Sequence, residues 1–72
     1  MLNLEKLAKI RKKRKYSQLE LAEELGLSQQ QYSRYEIGKY PMPLETFTKV
    51  CEKLDISADY LLDLSNKEEG SK

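Results

Sequence analysis

Two helix start signals separated by a single glycine lie in the middle of this 72-residue chain and constrain its fold more than any other feature. Ser17 is followed three residues later by Glu20, the capping-box pattern that begins a helix. Gly26 is the residue type that ends a helix in the left-handed conformation. Ser28 then caps another helix only two residues further on. Two short helices joined by so tight a turn must cross at a steep angle.

Three further helices are predicted by apolar residues at helical spacing between polar or proline-containing breaks. The first opens near Asn3 and ends around Lys13–Lys15, where cations favour the negative end of the helix dipole. The helix that Ser28 caps is the third in chain order, and it ends at Gly38. The fourth starts at Pro43, and Ser57 caps a short fifth helix. The predicted fold class is therefore all-α, with five short helices around one core.

One domain is predicted for residues 1–64, followed by a polar, disordered tail at residues 65–72. A chain of this length buries only about 60% of the surface that its unfolded form exposes. It has room for one core but hardly for a deep substrate cavity as well. The inner positions of the second, third and fourth helices are expected to form that core: Leu21, Ala22, Leu25, Leu27, Tyr32, Tyr35, Leu44, Phe47, Val50, Cys51 and Leu54.

The composition argues against several classes of function. The chain has no histidine, the commonest general base and transition-metal ligand, and its single cysteine, Cys51, cannot form a disulfide within the chain. No apolar run approaches the roughly 18 residues of a membrane span, and the N-terminus lacks the apolar stretch of a secretory signal. We therefore expect a cytoplasmic protein that is not an enzyme and has no metal, cofactor, small-molecule ligand or membrane contact.

The net charge of +1 hides a strongly basic first segment. Residues 1–16 carry seven bases and one acid, whereas residues 17–40 and 41–64 have net charges of −2 and −3. Because attraction to phosphate is local, this asymmetry matters more than the total. The run Arg11–Lys15 fits either a solvated helix end that satisfies the dipole or a surface that follows phosphates. A membrane-surface patch is a third interpretation, which no amphipathic anchor supports.

The predicted outer face of the third helix is polar and carries Gln29, Gln30, Ser33 and Arg34. Glutamine can pair bidentately with adenine and arginine with guanine, and each such pair discriminates between bases by about 1–3 kcal/mol. For an isolated glutamine, a solvated polar face is the simpler interpretation. After a capped glycine turn, we favour base reading.

A known family shares the pattern of this central segment. Residues 17–39 read SQLELAEELGLSQQQYSRYEIGK, which resembles the lambda repressor-like helix-turn-helix family of Cro/C1 or XRE type. The similarity extends through Pro43–Thr46 and Ile56–Leu62 and covers about residues 4–64. It implies a DNA-binding domain whose helix-turn-helix runs from about Gln18 to Tyr40. It also implies a transcriptional regulator, most simply a phage- or mobile-element-type repressor that binds double-stranded DNA through the major groove.

The resemblance implies a DNA interface residue by residue. The base-reading positions of the family correspond to Gln29, Gln30 and Arg34, and Ser33 would contact a phosphate or a base edge. The positions that contact backbone phosphates correspond to Gln18, Lys39 and Tyr40. Arg14 and Lys15, from the basic run, are further candidates for phosphate contact, because the end of the first helix adjoins the start of the second.

The resemblance also implies structural features and shows departures. Arg11 and Glu36 match an ion pair that bridges the first and third helices and orients the recognition helix. Lys15 stands where the family often has glycine, so a left-handed backbone there would be modestly strained. Ile37 and the prolines after Tyr40 make the turn after the third helix stiffer and more apolar than is usual.

A dimer follows from the small reach of one recognition helix. Useful specificity generally needs two half-sites about 34–36 Å apart, and hence a palindromic operator. The candidate residues for a small, weak self-contact, formed at least on DNA, lie in and beside the fifth helix: Asp59, Tyr60, Leu61 and Leu64. The alternative function is a protein-interaction module of the same fold, such as an antitoxin or a coactivator-type adaptor. A pure adaptor would not need the outward glutamines and arginine.

Overall fold

The computed structural model describes residues 2–66, which form five helices and no β-strand. The helices are α1 (Leu4–Lys13), α2 (Gln18–Leu25), α3 (Gln29–Glu36), α4 (Leu44–Leu54) and α5 (Ala58–Leu61). The all-α fold class predicted from the sequence is confirmed. No helix in this part of the chain is long and apolar enough to cross a membrane. The predicted tail lies outside the described residues from residue 67 onward.

Four of the five helices begin at a side chain that accepts a hydrogen bond from the backbone N–H three residues further on. These residues are Asn3, Ser17, Ser28 and Ser57. The capping box at α2 is complete, because the carboxylate of Glu20 also accepts a hydrogen bond from the N–H of Ser17 at 2.8 Å. Pro43 precedes α4 and provides no side-chain cap. The starts of α1, α2, α3 and α5 are thus set by local chemistry that the sequence displays.

The turns between helices rely on left-handed residues. Gly26 ends α2 at φ 73°, as its sequence position predicts. Lys15, between α1 and α2, has φ 66° and so bears the modest strain expected of a residue with a side chain there. Asp55 ends α4 at φ 51°, which no glycine or asparagine in the sequence signals.

The core is formed by apolar side chains from all five helices and by Ile56 in the segment between α4 and α5. Its members are Leu7, Ile10, Leu21, Ala22, Leu25, Tyr32, Phe47, Val50, Leu54, Ile56 and Leu61. α2 packs on α3 and α4, while α1 packs on α3 and α5. The prediction for Leu44 was wrong: this residue is 79% exposed, because the first turn of α4 lies at the rim of an open groove rather than over the core. Leu27, Tyr35 and Cys51 are only half-buried.

Candidate nucleic-acid interface

The helix-turn-helix predicted from the two caps is present as α2, the turn Gly26–Ser28, and α3. The N–H of Leu27 donates to the carbonyl of Ala22 at 2.9 Å, so the chain leaves α2 in a fixed direction. The hydroxyl of Ser28 then accepts a hydrogen bond from the N–H of Gln31 at 3.1 Å. These bonds fix the start of α3 relative to the end of α2.

The outer face of α3 carries side chains that the fold does not use. Gln29 and Gln30 are exposed, while Ser33 and Arg34 are half-buried. Within residues 2–66, the side chains of Gln29, Gln30 and Ser33 make no hydrogen bond, and Arg34 has no ion pair. Their donors and acceptors are therefore available to an external partner. The fold brings together the four residues that the sequence predicted as base readers.

The inner face of α3 is fixed to α1 by the ion pair that the sequence predicted. Arg11 Nε lies 2.9 Å from Glu36 Oε2, and Arg11 Nη2 lies 3.1 Å from Glu36 Oε1, so the contact is bidentate. A third guanidinium nitrogen, Nη1, donates to the carbonyl of Tyr16 at 2.8 Å. Both charged residues are buried, at 7% and 8% exposure. This buried pair therefore fixes the position of α3 relative to α1.

Two more side chains complete the surroundings of the Glu36 carboxylate. The hydroxyl of Tyr32, one helical turn earlier, donates to Oε2 at 2.6 Å. The Nε2 of Gln18 donates to Oε1 at 3.1 Å. The role of Tyr32 was missed in the sequence, where it read only as an inner packing residue. The signal that could have revealed it is the spacing of four residues between a tyrosine and a glutamate on the same inner face.

The network decides the charge state of its members. Burial by itself raises the pKa of Glu36, but hydrogen bonds from Arg11, Tyr32 and Gln18 outweigh burial and hold the pKa below its ordinary value. The hydrogen bond to Glu36 raises the pKa of Arg11 in turn. Burial, together with the neighbouring carboxylate, raises the pKa of the Tyr32 hydroxyl. At neutral pH the centre of the network is thus a carboxylate with all four donors directed at it.

The side chains predicted to contact phosphates around the α1–α2 turn differ in whether the fold already binds them. Lys15 is exposed. Gln18 is the first residue of α2 and keeps its backbone N–H at the helix N-terminus, although its side-chain amide is held by Glu36. Arg14 instead donates from Nε to the carbonyl of Leu54 at 2.7 Å and from Nη2 to that of Asp55 at 3.3 Å. Its guanidinium therefore caps the C-terminus of α4, a role that the sequence did not indicate.

The turn after α3 brings the remaining predicted residues together. Lys39 and Tyr40 are exposed, Tyr40 to 49%. The N–H of Lys39 donates to the carbonyl of Arg34 at 2.9 Å, which ties the turn to the last turn of α3. The ring centroid of Tyr40 lies 6.0 Å from Arg34 Cζ and 5.9 Å from Lys39 Nζ. Two cations and an aromatic ring thus cluster beside the outer face of α3.

A helix-turn-helix family model matches residues 7–61, from α1 to the end of α5. The chain belongs to the helix-turn-helix family, Cro/C1 type. This family consists of transcriptional regulators and not of enzymes.

Curated helix-turn-helix proteins from two bacteria are similar to this chain. The SPbeta prophage-derived uncharacterized HTH-type transcriptional regulator YonR of Bacillus subtilis is 45% identical over 58 residues, which are 81% of this chain and 54% of YonR. The cryptic phage CTXphi transcriptional repressor RstR of Vibrio cholerae is 37% identical over 57 residues, or 79% of this chain and 51% of RstR. The chain thus spans about half the length of these relatives. No solved structure matches it significantly.

The predicted self-contact of this helix-turn-helix domain requires a correction at α5. Leu61 has 0% exposure because it packs into the core, so it cannot meet a second copy. The ring of Tyr60 lies 4.1 Å from Lys6 Nζ and is half-buried against α1. Asp59 and Leu64 are exposed, Leu64 to 73%. Of the four candidates, only Asp59 and Leu64 are exposed.

Proposed function

We propose that this chain is a sequence-specific double-stranded DNA-binding transcriptional regulator, most simply a repressor of phage or mobile-element type. The observation that carries the proposal is the division of α3. Its inner face is fixed by a buried network, while Gln29, Gln30, Ser33 and Arg34 lie on its outer face without a hydrogen bond or ion pair to the described residues. The similar protein RstR is a transcriptional repressor, which supports repression over activation.

In this proposal α3 lies in the major groove and its outer side chains read base edges. Gln29 and Gln30 would pair with adenine and Arg34 with guanine, each pair contributing about 1–3 kcal/mol of discrimination. Lys15, Lys39 and the N-terminus of α2 would contact phosphates and set the register without reading sequence. The protein would act in the cytoplasm by occupying promoter DNA and would need no cofactor.

A second copy is part of the proposal because α3 has eight residues and can cover only a few base pairs. Two copies on a palindromic operator would place their recognition helices about 34–36 Å apart. With Leu61 buried, the remaining α5 surface is small, so we expect the dimer to be weak in solution and to form on DNA. Binding would then fall steeply with salt, since phosphate contacts release counterions.

The proposal is tested by selecting bound DNA from a random pool and measuring affinity for the selected site by mobility shift. We expect a palindrome with half-sites one helical turn apart. The double variant Gln29→Ala/Arg34→Ala should lose the sequence preference. Lys49→Ala, which removes one positive charge from the exposed side of α4, serves as the control and should retain it. Failure to bind at low salt, or a preference unchanged in the double variant, would contradict the proposal.

Phosphate contacts are separated from base contacts by the salt dependence. Lys39→Ala should weaken binding to all sequences about equally and reduce the slope of log affinity against log salt by about 1. Arg34→Ala should instead change the preference at one base pair in each half-site. If the loss of affinity in Lys39→Ala depended on the base pair, Lys39 would be a base-reading residue and these assignments would be contradicted.

The alternative, a protein-interaction module such as an antitoxin or a coactivator-type adaptor, draws on one observation. Ile37 and Leu44 are 68% and 79% exposed, and Leu44 lies at the rim of an apolar groove of about 550 Å³ between the ends of α1, α3, α4 and α5. Large exposed apolar patches are typical of protein contacts. An adaptor has no use for the outer face of α3, so the selection experiment decides between the two functions.

A further inference from the structure

Arg34 differs from the other arginines of the chain in what surrounds its guanidinium. Arg11 is bound by Glu36, and Arg14 donates to backbone carbonyls. Arg34 has no ion pair within residues 2–66, and the aromatic ring of Tyr40 lies 6.0 Å from its Cζ. This is the separation at which a guanidinium over an aromatic face is still attracted by the ring quadrupole.

The backbone that carries the ring of Tyr40 is restrained on both sides. On one side, the N–H of Lys39 donates to the carbonyl of Arg34 at 2.9 Å, so the turn is attached to the helical turn that carries the arginine. On the other side, Pro41 has a fixed φ and restricts the preceding residue to an extended backbone. The Cα from which the ring extends is therefore fixed relative to α3 rather than carried on a free loop.

Gly38 adds a second restraint to the same turn. It has φ 83°, and a Cβ built on it would lie 2.9 Å from Leu4 Cδ1. The turn is therefore packed closely on α1 and carries a residue type that suits its backbone. Arg34 and Tyr40 then line one shallow cleft of about 350 Å³ beside the recognition helix. The guanidinium of Arg34 and the ring of Tyr40 therefore face the same cleft, and each extends from a restrained backbone.

We propose that Tyr40 is a positioning residue for base readout: its ring restrains the guanidinium of Arg34 before DNA is bound. A free arginine side chain has many rotamers to lose on pairing with a base, and a restrained one has fewer. The ring thereby sharpens the preference of Arg34 for its base pair. This inference rests on the proposed function and differs from the phosphate contact that the family pattern implies for Tyr40, which would act through the hydroxyl.

The test compares two variants of Tyr40 on the selected operator and on a set of operators with each base pair changed in turn. Tyr40→Phe keeps the ring and removes the hydroxyl, and Tyr40→Leu removes the ring. We expect Tyr40→Phe to retain the wild-type discrimination at the base pair read by Arg34. Tyr40→Leu should lose about two- to fivefold of it, the size of an exposed cation–π contact, with discrimination elsewhere unchanged.

A double variant shows whether the effect passes through Arg34. In Arg34→Ala, which lacks the guanidinium, adding Tyr40→Leu should cause no further loss at that base pair. In the free protein, the side-chain NMR signals of Arg34 should show a ring-current shift in wild type and in Tyr40→Phe that disappears in Tyr40→Leu. This second readout does not depend on DNA, and the same spectra show whether each variant is folded.

Three results would overturn the inference. One is discrimination at the Arg34 base pair that Tyr40→Leu leaves unchanged. Another is a loss of discrimination at the Arg34 base pair in Tyr40→Phe, which would assign the effect to the hydroxyl rather than to the ring. The third is the absence of a ring-current shift at Arg34. If no DNA is selected at all, the proposed function fails and this inference with it, whereas a selected operator with any of the three results refutes the inference alone.

Discussion

The two faces of α3 are built on opposite principles, although they share one helix of eight residues. On the inner face, Tyr32 and Glu36 are buried, and their polar atoms are bonded to each other or to α1 and α2. On the outer face, Gln29 and Gln30 are exposed and make no hydrogen bond within the described residues. Stability depends on the first face and recognition, as proposed, on the second. The outer residues can therefore change without loss of the fold.

The same contrast appears between two ion pairs. Arg11 and Glu36 are buried, whereas Lys53 and Glu24 lie 3.3 Å apart with 41% and 47% of their side chains exposed. An exposed pair contributes about 0–1 kcal/mol to stability. Removing one partner of a buried pair costs about 3–5 kcal/mol, because the other charge is left unpaired out of water. The large cost measures the penalty of breaking the pair rather than its net contribution.

The largest effect is expected from Arg11→Met, which leaves the carboxylate of Glu36 buried without its counter-charge. The free energy of unfolding should fall by about 3–5 kcal/mol, measured by urea denaturation. The control is Lys53→Met at the exposed pair, which should lower it by less than about 1 kcal/mol. Equal losses in the two variants would break the contrast between the inner network and the surface.

Acid should weaken the inner face of α3. The pKa of Glu36 is lower in the folded protein than its ordinary value of 4.5, so its contribution to stability is present above that value and is lost as the pH falls through the folded pKa. The free energy of unfolding should therefore decline at pH below about 4.5. Titration of the Glu36 carboxyl by NMR checks the assignment directly, and a midpoint at or above the ordinary value would contradict it.

Tyr32→Phe removes one donor to the Glu36 carboxylate without changing the packing of the ring. A hydrogen bond to a charged group contributes about 1.5–3 kcal/mol, and we expect a loss of stability of that size. Tyr35→Phe is the matched control, because the hydroxyl of Tyr35 only accepts a long, exposed hydrogen bond of 3.4 Å from Gln31. The control should change stability by less than about 0.5 kcal/mol. If both tyrosines behave alike, Tyr32 belongs to the core by packing alone.

The smallest effect on stability is expected on the outer face. Gln29→Ala and Gln30→Ala should each leave the free energy of unfolding within about 0.5 kcal/mol of wild type, because neither side chain has a hydrogen bond to lose within the described residues. The same substitutions should weaken binding to the selected operator by about 1–3 kcal/mol each. A clear loss of stability in either variant would mean that the outer face also holds the fold together.

The sequence by itself determined the helix starts, the turn between α2 and α3, and most of the buried apolar stripe. Ser17 with Glu20 and Ser28 with the N–H of Gln31 are contacts over three residues, and so their pattern is legible along the chain. The ion pair of Arg11 and Glu36 could be predicted only because the family pattern places both residues, since nothing local joins positions 25 apart.

Only the tertiary structure decided which partners the long side chains bind and which of the candidate surface residues are buried. In the sequence, Arg14 is one more base in a basic run. In the structure it donates to the carbonyl of Leu54, 40 residues away, because the end of α1 lies beside the end of α4. Leu61 reads as a candidate surface residue, yet it is buried in the core. A capping pattern reports contacts within one helical turn, whereas the partner of a long side chain is set by how distant segments pack. Arg34 and Tyr40 lie close in sequence, but the turn that brings them together packs on α1 through Gly38, a contact that the sequence does not display.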